Sequence, residues 1–424
     1  MAIVSGTFRS LRSYNYRVWA IGAFVSNIGT WIQRTAQDWL VLTQLTDHSA
    51  AAVGIVMALQ FGPQLLLLPW SGFAADHFDR RKLVMTTQTI LGLLALVLGL
   101  LTVTGRVELW HVYVLAFALG CTTAFDVPAR QTFVPELVSE SDLSNAVALD
   151  STSFNAARLI GPTVAGFLIG SVGTGWAFLL NAASFAAVLG SLALLRLDDL
   201  RHYVRAARKP GGLGEGFRYV TGRADLRAVC IMLFLVGAFC MNFPIFISTM
   251  SVTVFHASAE QFGLLSSTIA VGTVIGALLA ATRERPHVGI LFISSAAIGL
   301  ALGAAAMAPN PWYFGAALAV VGVAVLTFTT STNTTMQLAT DPALRGRVIA
   351  IRIAILDGSV PLGALIVGFV ADVAGPRWGL AVGALAGAAA AAAAGLFLVR
   401  HRGLRVSYVA RRIRIDFDNP ASGT

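Results

Sequence analysis

The chain has 424 residues, of which 56% are hydrophobic and only 12% charged, with a mean hydropathy of +0.74. That composition excludes a soluble globular protein and points to a polytopic membrane protein. The net charge of +9 raises the question of nucleic acid, but the basic residues lie along one membrane face, where anionic lipid headgroups account for them, so no nucleic-acid partner is implied.

Arg9, Arg12 and Arg17 precede the first apolar run. The stretch resembles a signal peptide only superficially: it is too long, carries Arg34 and Asp38, and lacks a small-residue cleavage site, so it is expected to remain as a first helix. Apolar runs long enough for a bilayer crossing, about 20 residues, follow at 17–42, 50–73, 83–104, 109–129, 146–171, 175–196, 228–251, 260–282, 287–308, 311–333, 348–371 and 376–399. These make twelve expected helices, here called spans 1 to 12, in an all-α polytopic membrane protein.

Between spans 2 and 3 lies a short charged link, Gly72-Phe73-Ala74-Ala75-Asp76-His77-Phe78-Asp79-Arg80-Arg81-Lys82. Tight basic links face the cytoplasm. Of the 30 Lys and Arg residues, nearly all fall in the tails and in links on this same side. Arg34, Arg158 and Arg352 lie inside spans, and only Arg106 and Arg377 fall in links on the other side. Both termini are therefore expected in the cytoplasm.

The chain divides into an N-terminal six-helix bundle (1–196), a cytoplasmic linker (197–227), a C-terminal six-helix bundle (228–400) and a basic cytoplasmic tail (401–424). The linker carries Arg201, Arg205, Arg208 and Lys209, a Pro210-Gly211-Gly212 break, and an amphipathic stretch at Gly214–Thr221 that reads as a short surface helix. The halves echo each other. Gly161-Pro162-Thr163-Val164-Ala165-Gly166-Phe167 parallels Gly363-Ala364-Leu365-Ile366-Val367-Gly368-Phe369, at an offset that also relates Gly173 to Gly375. Gly276 to Pro286, with Arg283 and Arg285, sits near the matching place for the charged link, with Ala280 opposite Asp76.

Gly-x-x-x-Asp followed by a basic cluster resembles the signature loop between helices 2 and 3 of the major facilitator superfamily. His77 stands where that pattern usually has Arg or Lys, and Asp79 where it usually has Gly. The change at Asp79, with Trp31-Ile32-Gln33 through Asp38-Trp39-Leu40, Asp126-Val127-Pro128-Ala129-Arg130-Gln131, Arg158 to Pro162 and Arg345-Gly346-Arg347-Val348, is similar to a bacterial efflux branch that resembles the enterobactin exporter and related multidrug exporters. The resemblance covers nearly the whole chain. It implies two pseudo-symmetric six-helix bundles, the major facilitator fold, with substrate at their interface near midplane and an alternating-access cycle.

For the loop it implies a cytoplasmic gate of Gly72, Asp76, Arg80, Arg81, Asp126, Arg130, Arg345 and Arg347, with Arg80 meeting Asp126 and Asp76 facing the start of span 11. The plainer reading is that Asp126 balances Arg130 one turn along its own helix. The Gly-Pro pair of span 5, with Arg158, Gly161, Pro162 and Gly166, is reminiscent of an antiporter signature and reads as a hinge, although the longer glycine series of that signature is incomplete.

Charges inside a bilayer need a partner or water. Arg34 and Asp38 are one turn apart on span 1, so they either couple proton uptake to conformation or form a permanent ion pair that fixes the helix. Arg352 and Asp357 on span 11 need not share a face. Asn27, Gln60, Gln64, Asn155, Asn242 and Asn333 supply the polar groups of the expected cavity, and Trp31 supplies aromatic surface. Phe61, Phe239, Phe243 and Phe328 supply apolar wall, suited to an amphiphilic ligand.

Cys121, Cys230 and Cys240 sit in apolar spans without metal-ligand spacing, so neither disulfide nor metal nor other cofactor is expected. No Ser-His-Asp, HExxH or P-loop arrangement appears, which argues against an enzyme and against an ATP-driven pump. The reading is a monomeric secondary transporter that exports amphiphilic small molecules (drugs, siderophores or secondary metabolites), with protons as coupling ion in an antiport cycle. A lipid or nutrient carrier of the same fold, or a membrane receptor, are the alternatives.

Overall fold

The computed structural model describes residues 7–201, 213–281, 289–402, 404–409 and 412–417. The basic positions Arg205, Arg208 and Lys209 of the linker, and Arg283 and Arg285 of the second hinge, lie outside the described residues.

A helix occupies each of the twelve apolar runs. In chain order these are α1 (Tyr14–Leu40), α2 (Ala50–Leu66), α3 (Leu68–His77), α4 (Arg80–Val103), α5 (Leu109–Phe133), α6 (Leu143–Val172), α7 (Thr174–Ala193), α8 (Leu213–Gly222), α9 (Ala224–Leu235), α10 (Phe243–Thr249), α11 (Ala259–Ala281), α12 (Gly289–Ala306), α13 (Pro311–Leu338), α14 (Arg345–Gly358), α15 (Val360–Ala374) and α16 (Pro376–Arg402). The tail adds an antiparallel ribbon, β1 (Leu404–Val409) with β2 (Arg412–Phe417).

Among the described residues nine helical stretches are long and apolar enough to cross a membrane, and the bent α2–α3 pair makes a tenth when taken as one span. The remaining two, α1 and α6, have 27 and 30 residues. At 1.5 Å per residue both exceed a hydrocarbon core of about 30 Å; charged and amide side chains keep them out of the apolar set.

Two runs that hydropathy draws as continuous are broken. The α2–α3 pair bends by 58°, with Pro63 inside α2 and Pro69 at the second position of α3; each proline removes a backbone donor and crowds the preceding turn. Span 7 breaks at Met241–Asn242, between a π-helical turn at Val236–Cys240 and α10. Pro244 follows in the first turn of α10, and without a backbone N–H it cannot donate to the carbonyl four residues back, that of Cys240.

Helix ends follow side-chain chemistry. Asp79, the departure from the loop pattern, is the N-cap of α4 and accepts from the Lys82 backbone N–H at 2.8 Å. Asn310 does the same for α13 at Tyr313. Gly173 and Gly375, paired by the internal repeat, end α6 and α15 with φ of +91° and +102°, a conformation that favours glycine.

The chain packs as two compact units. The first comprises Met1–Arg208, Phe243–Val271 and Ala364–Pro376. In it α1 packs on α6 and α7, α4 on α5 and α7, and α2 on α5, around Tyr16, Trp19, Val84, Phe133, Phe185 and Leu192. The starts of α1 and α6 lie side by side: Arg9 pairs with Asp142, Ser10 bonds Asn145, and the Tyr16 hydroxyl donates to the Ala146 carbonyl at 2.8 Å. The second unit comprises Lys209–Asn242, Gly272–Gly363 and Arg377–Thr424. There α12 packs along α13, and α8, the expected linker helix, lies on α14 through an ion pair of Glu215 with Arg347.

Candidate functional site

Five helices of the first unit, α1, α4, α5, α6 and α7, enclose a cavity of about 110 Å³. Its wall is unusual for a membrane interior: Asn27, Gln33, Arg34, Gln37, Gln88, Asp126, Arg130 and Asn181 line it, with Leu91, Leu119, Phe154 and Phe185. The volume suits a few waters rather than a drug-sized ligand, which needs several hundred Å³.

The polar groups are held rigidly. Asp126, 4% exposed, accepts from the Thr87 hydroxyl at 2.6 Å and from the Gln88 amide at 2.8 Å. Arg130 donates to the side-chain Oδ1 of Asn27 at 3.2 Å and lies over the Trp19 ring. Asn181 donates to Gln33 at 2.6 Å. A buried carboxylate that accepts two hydrogen bonds is strongly anchored, because removing it leaves the Gln88 amide without an acceptor, whereas Thr87 keeps the Val84 carbonyl at 3.0 Å.

Deeper along α1 the arrangement changes. The guanidinium carbons of Arg34 and Arg158 lie 5.2 and 5.5 Å from the centroid of one ring, that of Trp31. Phe154 meets that ring edge-on at 5.8 Å. No hydrogen bond or ion pair joins Arg34 to Asp38 among the described residues, although they are one turn apart; the guanidinium turns to Trp31 instead. Gly161 of α6 allows this closeness, since a Cβ there would stand 2.4 Å from the Cβ of Trp31.

The other expected site residues are placed as follows. Arg80 pairs with Glu136, not with Asp126. Arg81 donates twice to the Leu192 carbonyl, at 3.0 and 2.9 Å, in the last turn of α7, where a cation complements the helix dipole. Asp76 is exposed near the end of α3, and Gly72 borders open space. In the second unit, Arg345 donates to the Thr340 carbonyl and Arg347 pairs with Glu215.

In the span-5 segment, Pro162 sits inside continuous α6, and Gly166 lies against the backbone of α11 at Ala259 and Gly263. Gln60 is buried, and Gln64 and Asn155 spend their amides on carbonyls four residues back. Asn242, fully buried at the break of span 7, bonds Ala238, while its own oxygen has no partner. Asn333 is half-buried on α13. Arg352 donates to the Thr329 carbonyl, and Asp357 is exposed.

Sequence reasoning did not find Glu136, Gln88, Asn181 or Asp372. Gln88 and Asn181 carry the signal of any amide inside an apolar run. Asp372 sits at the end of span 11 and caps α2: its carboxylate accepts from the Ser49 hydroxyl at 2.8 Å and from the backbone of Ala50 and Ala51.

The sequence profile of the transmembrane secretion effector family of major facilitator proteins matches residues 5–410. The chain is 27% identical over 358 residues to the staphyloferrin A transporter of Staphylococcus aureus, spanning 83% of this chain and 88% of that one. It is 25% identical over 373 residues to the multidrug efflux pump Tap of Mycolicibacterium fortuitum, at 83% and 88% coverage. Over 316 residues it is 26% identical to the enterobactin exporter EntS of Escherichia coli, at 73% and 74%. Among solved structures, an inward-facing bacterial homolog of the human lysosomal transporter Spinster superposes with a TM-score of 0.70 at 15% identity, covering 91% of this chain and 96% of that one. A POT family transporter in complex with 5-aminolevulinic acid gives 0.73 at 11%, covering 91% and 95%.

Proposed function

Because the chain belongs to the transmembrane secretion effector family of the major facilitator superfamily, we propose that it is a secondary transporter that exports amphiphilic small molecules, siderophores or drugs among them. The observation that carries this reading is the family match along nearly the whole chain, joined to relatives that are a staphyloferrin A transporter, a multidrug efflux pump and an enterobactin exporter. The structure adds polar groups set in apolar helices. That mixture suits ligands with both characters.

The cycle in this reading is proton-coupled antiport by alternating access of the two six-helix halves, 1–196 and 228–400. Asp38 is the proton-carrying acid, an intramembrane carboxylate one turn from Arg34 and without a hydrogen-bonded or ion-paired partner among the described residues. Asp76, Arg80 and the start of span 11 close the cytoplasmic side in the outward-facing state. The protein acts as a monomer in the bacterial inner membrane, its basic tails and links in the cytoplasm against anionic headgroups.

Flux in proteoliposomes under an imposed pH gradient, with a panel of dyes, antibiotics and siderophores, tests the proposal. Gradient-dependent movement of at least one class is expected. Binding without flux would contradict it and favour a receptor.

A further inference from the structure

The guanidiniums of Arg34 and Arg158 are the least explained charges in the described chain. Each lies within cation–π reach of Trp31, at 5.2 and 5.5 Å. Neither makes a hydrogen bond or ion pair with any described residue, and the Trp31 indole nitrogen is itself buried without an acceptor. Every other arginine whose interior contacts are described here is spent: Arg130 on Asn27, Arg81 on Leu192, Arg352 on Thr329.

The pair sits deep. Arg34 lies roughly 25 Å along α1 from Arg17, and Arg158 a similar distance along α6 from Asp142, at 1.5 Å per residue. The two helices start side by side at the basic end, so the two cations share one depth within a hydrocarbon core of about 30 Å. Asp38 is the nearest carboxylate along α1, and it can balance at most one of the two charges.

Two unspent guanidinium forks beside one aromatic ring, which Phe154 meets edge-on, offer the donors that a planar anion requires. A guanidinium binds carboxylate by two parallel N–H···O bonds, and the ring offers apolar surface and an N–H donor to the group that follows. We propose that Arg34, Arg158 and Trp31 bind the anionic head of the transported molecule, so that the substrate class is a carboxylate-bearing amphiphile with an aromatic or alkyl body. The proposal rests on the exporter reading for its route, but not for its binding.

The test uses the full chain in phosphatidylcholine nanodiscs and three probes on one dansyl-alkyl body, ending in carboxylate, primary amide or trimethylammonium. The carboxylate is expected to bind at least tenfold tighter than the other two, as the loss of one charge-assisted pair implies. Arg34→Gln and Arg158→Gln should each erase that preference while still binding the amide. Arg158→Lys, which keeps charge without the fork, should retain part of it, and this separates recognition from a folding defect.

Equal affinity of the three probes for the native protein would overturn the proposal, as would an undiminished preference in both Gln variants. Displacement of the carboxylate probe by phosphatidylglycerol in the disc would also overturn it, by assigning the site to a lipid headgroup. Flux of the same probes into proteoliposomes keeps the two claims apart. Selective binding without flux of any probe leaves the anion site standing and removes the exporter reading. Equal flux of all three does the reverse.

Discussion

Asp38 and Asp126 are both acids inside the first unit, and their surroundings assign them different work. Asp126 is fixed by Thr87 and Gln88. Asp126→Ala should therefore cost about 1–3 kcal/mol, the range for stranding a buried donor, seen as a lower unfolding temperature in detergent. Asp38 has no such anchor, and its replacement is expected to act on coupling instead of stability. Asp38→Asn should exchange substrate down a chemical gradient at a near-native rate while ignoring a pH gradient. A native response to the gradient would move the proton to another acid.

These two acids also show how far the sequence reaches at the residue scale. That they lie in apolar runs is plain from the chain, since a carboxylate among Leu and Ala stands out. Their partners are not, because Thr87 and Gln88 approach Asp126 across a helix interface that no local spacing encodes. The same holds for Glu136, which meets Arg80 in place of the expected Asp126. Arg34 and Asp38 satisfy the spacing rule for a pair, but the indole of Trp31 competes for the guanidinium.

Elements are legible where hydropathy adds up over many residues and illegible where one hydrogen bond decides. The apolar runs all became helices. The breaks at Leu67 and at Met241–Asn242 come from Pro63, Pro69 and Pro244, single residues that barely alter a hydropathy average. Asp79 is a departure from the loop pattern that the structure explains as an N-cap; Asp79→Ala should destabilise α4 by about 1 kcal/mol, readable as faster amide exchange in its first turn. At Gly161 a methyl would stand 2.4 Å from the Trp31 Cβ. Gly161→Ala should push α6 off α1 at a cost of about 1–3 kcal/mol, with a change in Trp fluorescence that Gly190→Ala, which meets open space, should not show.

For the whole molecule, the first unit joins segments that lie far apart in the chain. Asp372 caps α2, Thr163 bonds Ser267 at 2.8 Å, and Gly166 lies against Gly263. The repeat that pairs Gly173 with Gly375 was readable because the two helix ends need the same positive φ; the joining of Phe243–Val271 and Ala364–Pro376 to the first unit was not, since it depends on long-range packing. Arg80→Ala should lower transport severely while leaving probe affinity within a few-fold, because neither Arg80 nor its partner Glu136 lines the cavity. The most direct measurement of the central claim is uptake into inverted membrane vesicles, followed as accumulation of an amphiphilic fluorescent probe. Accumulation that starts when a proton gradient is imposed and collapses when a protonophore is added is the expected result; a probe that binds the vesicles yet never accumulates, with or without the gradient, would contradict export.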